Sequence, residues 1–129
     1  MQVWHVAWSP DGEHLAAASR DQTVRVWAVS APAAACTIAH TLRGHTAAVQ
    51  FVAWSPDSQL LLSCGDDAKV MLWEVSTGTL KHTISKHAAA VTACAWLPDS
   101  QRFVTGGHDR HMYMWDVSGN EVRPSQTKP

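Results

Sequence analysis

The sequence has no CxxC pair, no apolar run approaching the roughly 18 residues of a membrane-spanning helix, and no excess of either charge. Its three cysteines, Cys36, Cys64 and Cys94, are an odd count. Cys64 and Cys94 stand in apolar, strand-like runs, where a free thiol behaves as a small hydrophobe. This excludes a disulfide framework and a structural zinc site, and it suits a reducing compartment. A net charge of −1 offers no basic face for nucleic acid. Neither GxxxxGK[ST] nor GxGxxG occurs, so no phosphate-cradling loop is expected, and Gly106-Gly107 reads as a strand end. Helical spacing of apolar residues is also missing. The opening Val3-Trp4-His5-Val6-Ala7-Trp8 does not read as a signal peptide, and the expected location is the cytoplasm, the nucleus or both. With 46% hydrophobic and 16% charged residues, the chain reads as a folded domain.

What the sequence does have is tryptophan, seven in 129 residues, and six of them mark a repeat. Trp8, Trp54 and Trp96 lie 46 and then 42 residues apart, as do Trp27, Trp73 and Trp115, Asp21, Asp67 and Asp109, and Pro10, Pro56 and Pro98. A period of this length is sought first because it decides the fold. The four extra residues of the first step fall between Val29 and Leu42, around Ala31-Pro32-Ala33-Ala34-Ala35. Within a unit, Val49–Trp54 reads as a first strand and Ser55-Pro56-Asp57-Ser58 as a turn. Leu60–Cys64 and Val70–Trp73 follow as strands joined by a tight turn at Asp66-Asp67, and a fourth strand is expected near Leu80–Ile84. Positions 24, 70 and 112, and 26, 72 and 114, stay apolar, whereas Arg25, Met71 and Tyr113 vary between them, as one fixed packing face requires.

The repeat length, the Gly44-His45 pair before a first strand and the Trp115-Asp116 pair after a third make the chain resemble the WD-repeat family. The resemblance implies an all-β fold: a partial WD-repeat β-propeller of three tandem four-stranded antiparallel blades. The repeats are placed at about 1–30, 42–76 and 84–118, with a looser connection at 31–41 and a polar tail at 120–129. Ala28 and Glu74 depart from the Trp-Asp pair, and Lys86 departs from Gly-His. The run from Gly44-His45 through Ala53-Trp54-Ser55-Pro56-Asp57, together with Arg102–Gly107 and Val117–Asn120, is similar to the WD-repeat subunit of the GID/CTLH ubiquitin ligase. That likeness implies an adaptor that recruits substrates, with other ligase subunits as partners. Ser30, Ser76 and Ser118 stand where receptors of cullin-4 ligases carry arginine, so that docking signal is missing.

His45, Ser63, Asp67 and Trp73 recur as His87, Thr105, Asp109 and Trp115. In the resembling family such residues form a hydrogen-bonded tetrad that pins each blade, and satisfied buried polar groups are the physical basis. The first unit keeps Asp21 and Trp27 but has Ala17 in place of the hydroxyl and no histidine. A Ser-His-Asp hydrolase is the competing reading. It is disfavoured because a nucleophile has no reason to repeat. His108 and His111 flank a turn, and no metal or cofactor is expected. Recognition of proteins, with neither nucleic acid nor membrane as partner, is expected at a rim whose side chains vary on a repeated frame: Trp4, Arg20, Gln50, Asp66, Thr92 and His108. Generic scaffolding in signalling or RNA processing is the alternative. Three blades do not close a ring, so a fragment of a longer propeller or self-association is expected. Gly119 onward, with Pro124, reads as a poor fourth strand.

Overall fold

The computed structural model describes residues 3–30 and 35–122, the side chains of Ser30, Ala35 and Cys36 excepted. Among the described residues twelve strands form three four-stranded antiparallel sheets in sequence order. The first blade holds β1 (Val3–Trp8), β2 (His14–Ser19), β3 (Thr23–Ser30) and β4 (Ala35–Arg43). The second holds β5 (Val49–Trp54), β6 (Leu60–Gly65), β7 (Val70–Glu74) and β8 (Thr79–Ile84), and the third β9 (Val91–Trp96), β10 (Arg102–Gly107), β11 (Met112–Asp116) and β12 (Glu121–Val122). The fold is all-β, the architecture of partial propeller blades. Among the described residues no helix is long and apolar enough to cross a membrane.

The turns follow from their residues. In the second blade the Ser55 hydroxyl donates to Asp57 and accepts from the Leu60 amide at 3.0 Å, while Asp57 accepts from the Gln59 amide. Ser58 then takes a left-handed φ of 63°. Ser9 and Asp11 build the same turn in the first blade. In the third, Leu97 replaces the serine and Asp99 alone caps Gln101 at 2.9 Å.

The core lies between blades. One cluster joins Ala16, Ala18, Val24, Val26 and Leu42 of the first blade to Val49, Val52, Trp54, Leu61 and Trp73 of the second. A second joins Leu62, Cys64, Val70, Leu72 and Ile84 to Val91, Cys94, Phe103 and Trp115 of the third. Each large aliphatic or aromatic side chain so enclosed contributes about 1.5–3 kcal/mol. The middle blade is covered on both faces, and every residue of β6 is buried. The outer faces are not: Val6 and Trp8 on β1 and Met112 on β11 stand exposed. Positions 24, 26, 70 and 72 pack as the alternation requires, whereas Met112 stands exposed, with no further blade among the described residues to lie against it.

Two expectations change. Residues read as part of a looser connection, 31–41, belong from Ala35 onward to β4, which pairs with β3 along its whole length; 31–34 lie outside the described residues. The poor fourth strand after Gly119 does form, as the short β12, which pairs Glu121 with Trp115 and Val122 with Met114. Asp116 makes the turn possible. It accepts the amides of Ser118 and Asn120 at 2.9 and 3.0 Å, with Gly119 at φ 87°. Residues 123–129, Pro124 among them, lie outside the described residues.

Candidate functional site

Four side chains from separate segments meet inside the second blade. His45 precedes β5, Ser63 lies on β6, Asp67 in the β6–β7 turn and Trp73 on β7. His45 Nδ1 is 2.9 Å from Asp67 Oδ2, and its Nε2 is 2.7 Å from Ser63 Oγ. Trp73 Nε1 donates to the same Oγ at 2.8 Å. A carboxylate only accepts, so Nδ1 carries the proton, Nε2 accepts from the serine hydroxyl, and the serine accepts from the indole. Burial pulls the His45 pKa down, against the upward pull of the Asp67 charge, which keeps the ring neutral. Asp67 also accepts the Thr46 amide at 3.0 Å and so fixes the entry to β5.

The third blade repeats this with threonine. His87 Nδ1 lies 2.9 Å from Asp109, its Nε2 lies 2.8 Å from Thr105 Oγ1, and Trp115 Nε1 donates to that oxygen at 2.9 Å. Burial raises the Asp109 pKa, but hydrogen bonds from the His111 and Ala88 amides and from His87 outweigh it and bring it to about 2. The first blade does not assemble the set. Ala17 offers Trp27 no hydroxyl, and Asp21 bonds instead to Thr23 and, at 3.1 Å, to Arg25.

The connectivity Ser–His–Asp is that of a hydrolase triad. Its surroundings are not. Ser63 and Thr105 have no accessible surface, and the indole proton already occupies each hydroxyl oxygen. Among the described residues no group of three or more His, Cys, Asp or Glu side chains is placed to hold a metal ion.

Three of the residues expected at the rim share a structural device. Trp4, Gln50 and Thr92 are each the extra residue of a β-bulge, at the same place in each blade's first strand. A bulge leaves one residue without a ladder partner and re-aims its side chain. In the second and third blades the opposing strand ends in Gly65 or Gly107. There a Cβ would fall 2.3 Å from the carbonyl oxygen of Ala48 or Ala90. Those carbonyls accept the amides of Asp66 and His108, so bulge and turn are tied together. Gln50 Nε2 donates to Asp66 Oδ1 at 2.8 Å, bringing two of the residues expected at the rim into contact. Trp4, Arg20, Asp66 and His108 are exposed, and Gln50 and Thr92 half-buried.

Sequence reasoning missed the bonds between blades. Trp54 Nε1 donates to the Ala7 carbonyl and Trp96 Nε1 to the Ala53 carbonyl, both at 3.0 Å. The Ser58 and Ser100 hydroxyls accept the amides of Asp11 and Asp57 one blade earlier. His5 Nδ1 accepts the Val52 amide, with its ring stacked on Phe51. The recurrence of Trp8, Trp54 and Trp96 was the available signal.

A family model described as "WD domain, G-beta repeat" matches residues 1–28, 36–74 and 78–116. Among curated proteins, the "probable cytosolic iron-sulfur protein assembly protein CIAO1 homolog" of Chlamydomonas reinhardtii is 55% identical over 31 residues. That stretch is 24% of this chain and 9% of the relative's length.

Proposed function

This chain belongs to the WD-repeat family, and on that premise we propose that it is a non-enzymatic protein-interaction scaffold, its repeats at about 1–30, 42–76 and 84–118. Its recognition surface is the rim of Trp4, Arg20, Gln50, Asp66, Thr92 and His108. One observation carries this reading. The blades repeat the same bulge at the same place and put a different side chain on it each time, which suits a varied display on a constant frame. Absence of enzymatic activity is supported by the burial of Ser63 and Thr105 and by the duplication of their hydrogen-bond network.

The finer reading is the adaptor, substrate-recruiting part of a ubiquitin ligase complex of GID/CTLH type, acting in the cytoplasm, the nucleus or both. Its support is the run Gly44-His45 to Asp57 with Arg102–Gly107 and Val117–Asn120. A second reading, an assembly adaptor, is supported by the 31-residue likeness to the iron–sulfur assembly relative. The test is affinity capture with the tagged chain and with a Trp4→Ala/Asp66→Ala/His108→Ala variant. GID/CTLH subunits captured by the parent and lost by the variant support the ligase adaptor. Iron–sulfur assembly proteins lost in the same way support the second reading. Partners retained undiminished by the variant overturn the rim assignment.

A further inference from the structure

Opposite charges gather at opposite ends of the strands. The β2–β3, β6–β7 and β10–β11 turns share one end with the connections into β5 and β9, as the His45–Asp67 and His87–Asp109 bonds require. Arg20, Arg25, Arg43, Lys69, Lys86 and Arg110 belong to this end, which also holds the rim. Most acids that could answer them are turned elsewhere. The Asp67 and Asp109 carboxylates face buried histidines, with only 3% and 5% of their side chains exposed. Asp21 is bonded to Arg25, and Glu121 reaches Lys86. Asp66 remains, held by Gln50. The ion pairs among the described residues leave out Arg43, Lys69 and Arg110. The far end has the reverse balance. Asp11, Glu13, Asp57, Glu74, Asp99 and Asp116 stand in or beside the turns after β1, β5, β7, β9 and β11. Among the described residues Arg102 is the cation at those turns, bonded to Asp99, while Lys81 lies part-way along β8. A net charge of −1 for the chain therefore conceals two ends of opposite sign.

We propose that the rim end receives an extended acidic segment of another protein, its aspartate and glutamate side chains paired with Arg43, Lys69 and Arg110. This rests on the scaffold reading above and adds the chemistry of the partner. Charge complementarity selects the occupant. A run of carboxylates is drawn to this end and repelled from the other, so the field orients the encounter as well as favouring it. The guanidinium groups of Arg43 and Arg110 each present a fork that fits a carboxylate with two parallel bonds. Arg43 and Arg110 are exposed and Lys69 half-buried, so all three are within reach of a ligand. Their backbones are already fixed. Arg43 pairs with Thr23, the Lys69 amide is bonded to Asp67 at 3.1 Å, and the Arg110 amide to the Gly107 carbonyl at 3.2 Å. Charges placed in advance lose little freedom on binding. Asp21 and Asp66 interrupt the cations, which suits separate carboxylates on a peptide better than the continuous phosphates of a nucleic acid.

The experiment is fluorescence anisotropy on the 129-residue chain with a labelled peptide of alternating glutamate and serine. A lysine–serine peptide and single-stranded oligothymidylate serve as comparisons. The glutamate peptide is expected to bind, and to bind more weakly as salt rises. Arg43→Glu/Lys69→Glu/Arg110→Glu is expected to weaken it by about tenfold or more. Glu13→Lys, at the far end, is expected to leave it unchanged. Circular dichroism verifies the sheets of each variant, and Arg43→Gln/Lys69→Gln/Arg110→Gln decides if the glutamate triple unfolds. A parent chain that ignores the glutamate peptide overturns the inference. So does equal binding of the lysine peptide or of oligothymidylate, or a folded triple that binds undiminished. The scaffold reading is judged separately. A protein captured by the parent chain, lost with Trp4→Ala/Asp66→Ala/His108→Ala but retained by the charge-reversed triple, keeps the rim and removes the acidic segment.

Discussion

Trp96 donates its indole proton to the backbone carbonyl of Ala53 at 3.0 Å, and Trp54 does the same to Ala7 one blade earlier. Each bond crosses a joint whose remaining contacts are mostly apolar, so it fixes the register of one sheet on the next. Trp96→Phe keeps a ring but leaves that carbonyl without its donor. The expected loss is about 0.5–1.5 kcal/mol, the net worth of a typical hydrogen bond at a half-buried site. Guanidinium unfolding at constant protein concentration checks it, and an unchanged midpoint would remove this bond from the account of stability.

Ser63→Ala deprives both Trp73 Nε1 and His45 Nε2 of their shared partner. A loss of about 1–3 kcal/mol is expected. Trp73→Ala, which empties a buried aromatic site, is expected to cost about 3–5 kcal/mol. Thr105→Ser keeps the hydroxyl and is expected to be milder than Thr105→Ala. Thermal melts rank all four, and labelling of the parent chain by a serine-directed probe would revive the hydrolase reading.

Stability is expected to fall on acidification in two steps. His45 has its pKa lowered by burial, below the ordinary 6.5 it regains on unfolding. Below 6.5 the unfolded chain therefore binds the extra proton and the folded chain resists it, so stability declines as pH drops from 6.5 toward the folded value. Asp109 behaves as a depressed carboxylate. Its contribution is complete above 3.8 and is lost as pH falls toward about 2. Unfolding midpoints between pH 8 and pH 5 test the first step, in the parent and in His45→Asn, where the slope over that range should shrink.

Cys94 is enclosed at the joint between the second and third blades beside Cys64. A hydrogen bond with Cys64, then burial, raise its thiol pKa well above 9.0. In a Cys36→Ser background, iodoacetamide at pH 8 is expected to leave both remaining thiols unmodified until denaturant is added. Mass spectrometry after a timed quench reads this directly, and rapid native labelling would mean that the joint opens.

The frame was legible because it is written in residue types that recur at fixed offsets. Trp73 with Trp115 and Asp67 with Asp109 mark the same points of the sheet twice. The inter-blade bonds were not legible, since the acceptors at Ala7 and Ala53 are backbone oxygens that every residue possesses. The bulges at Trp4, Gln50 and Thr92 were readable only as variable positions, because an unpaired strand residue has no side-chain signature. β12 is hidden in the sequence because Pro124 argues against a strand, whereas the turn that permits it rests on the single side chain of Asp116. The alanine-rich stretch before Leu42 masked β4, whose order comes from pairing with β3 and not from its own composition.

Every residue of β6 is enclosed, while β1 and β11 each leave one side in water. Opening this protein is therefore a matter of order in time. Exposed sheets at either end can loosen without disturbing the centre, but β6 amides reach solvent only when both neighbours have let go. Deuterium should enter the ends within the first moments and the Leu60–Gly65 ladder last, so the middle blade keeps the slowest clock in the molecule.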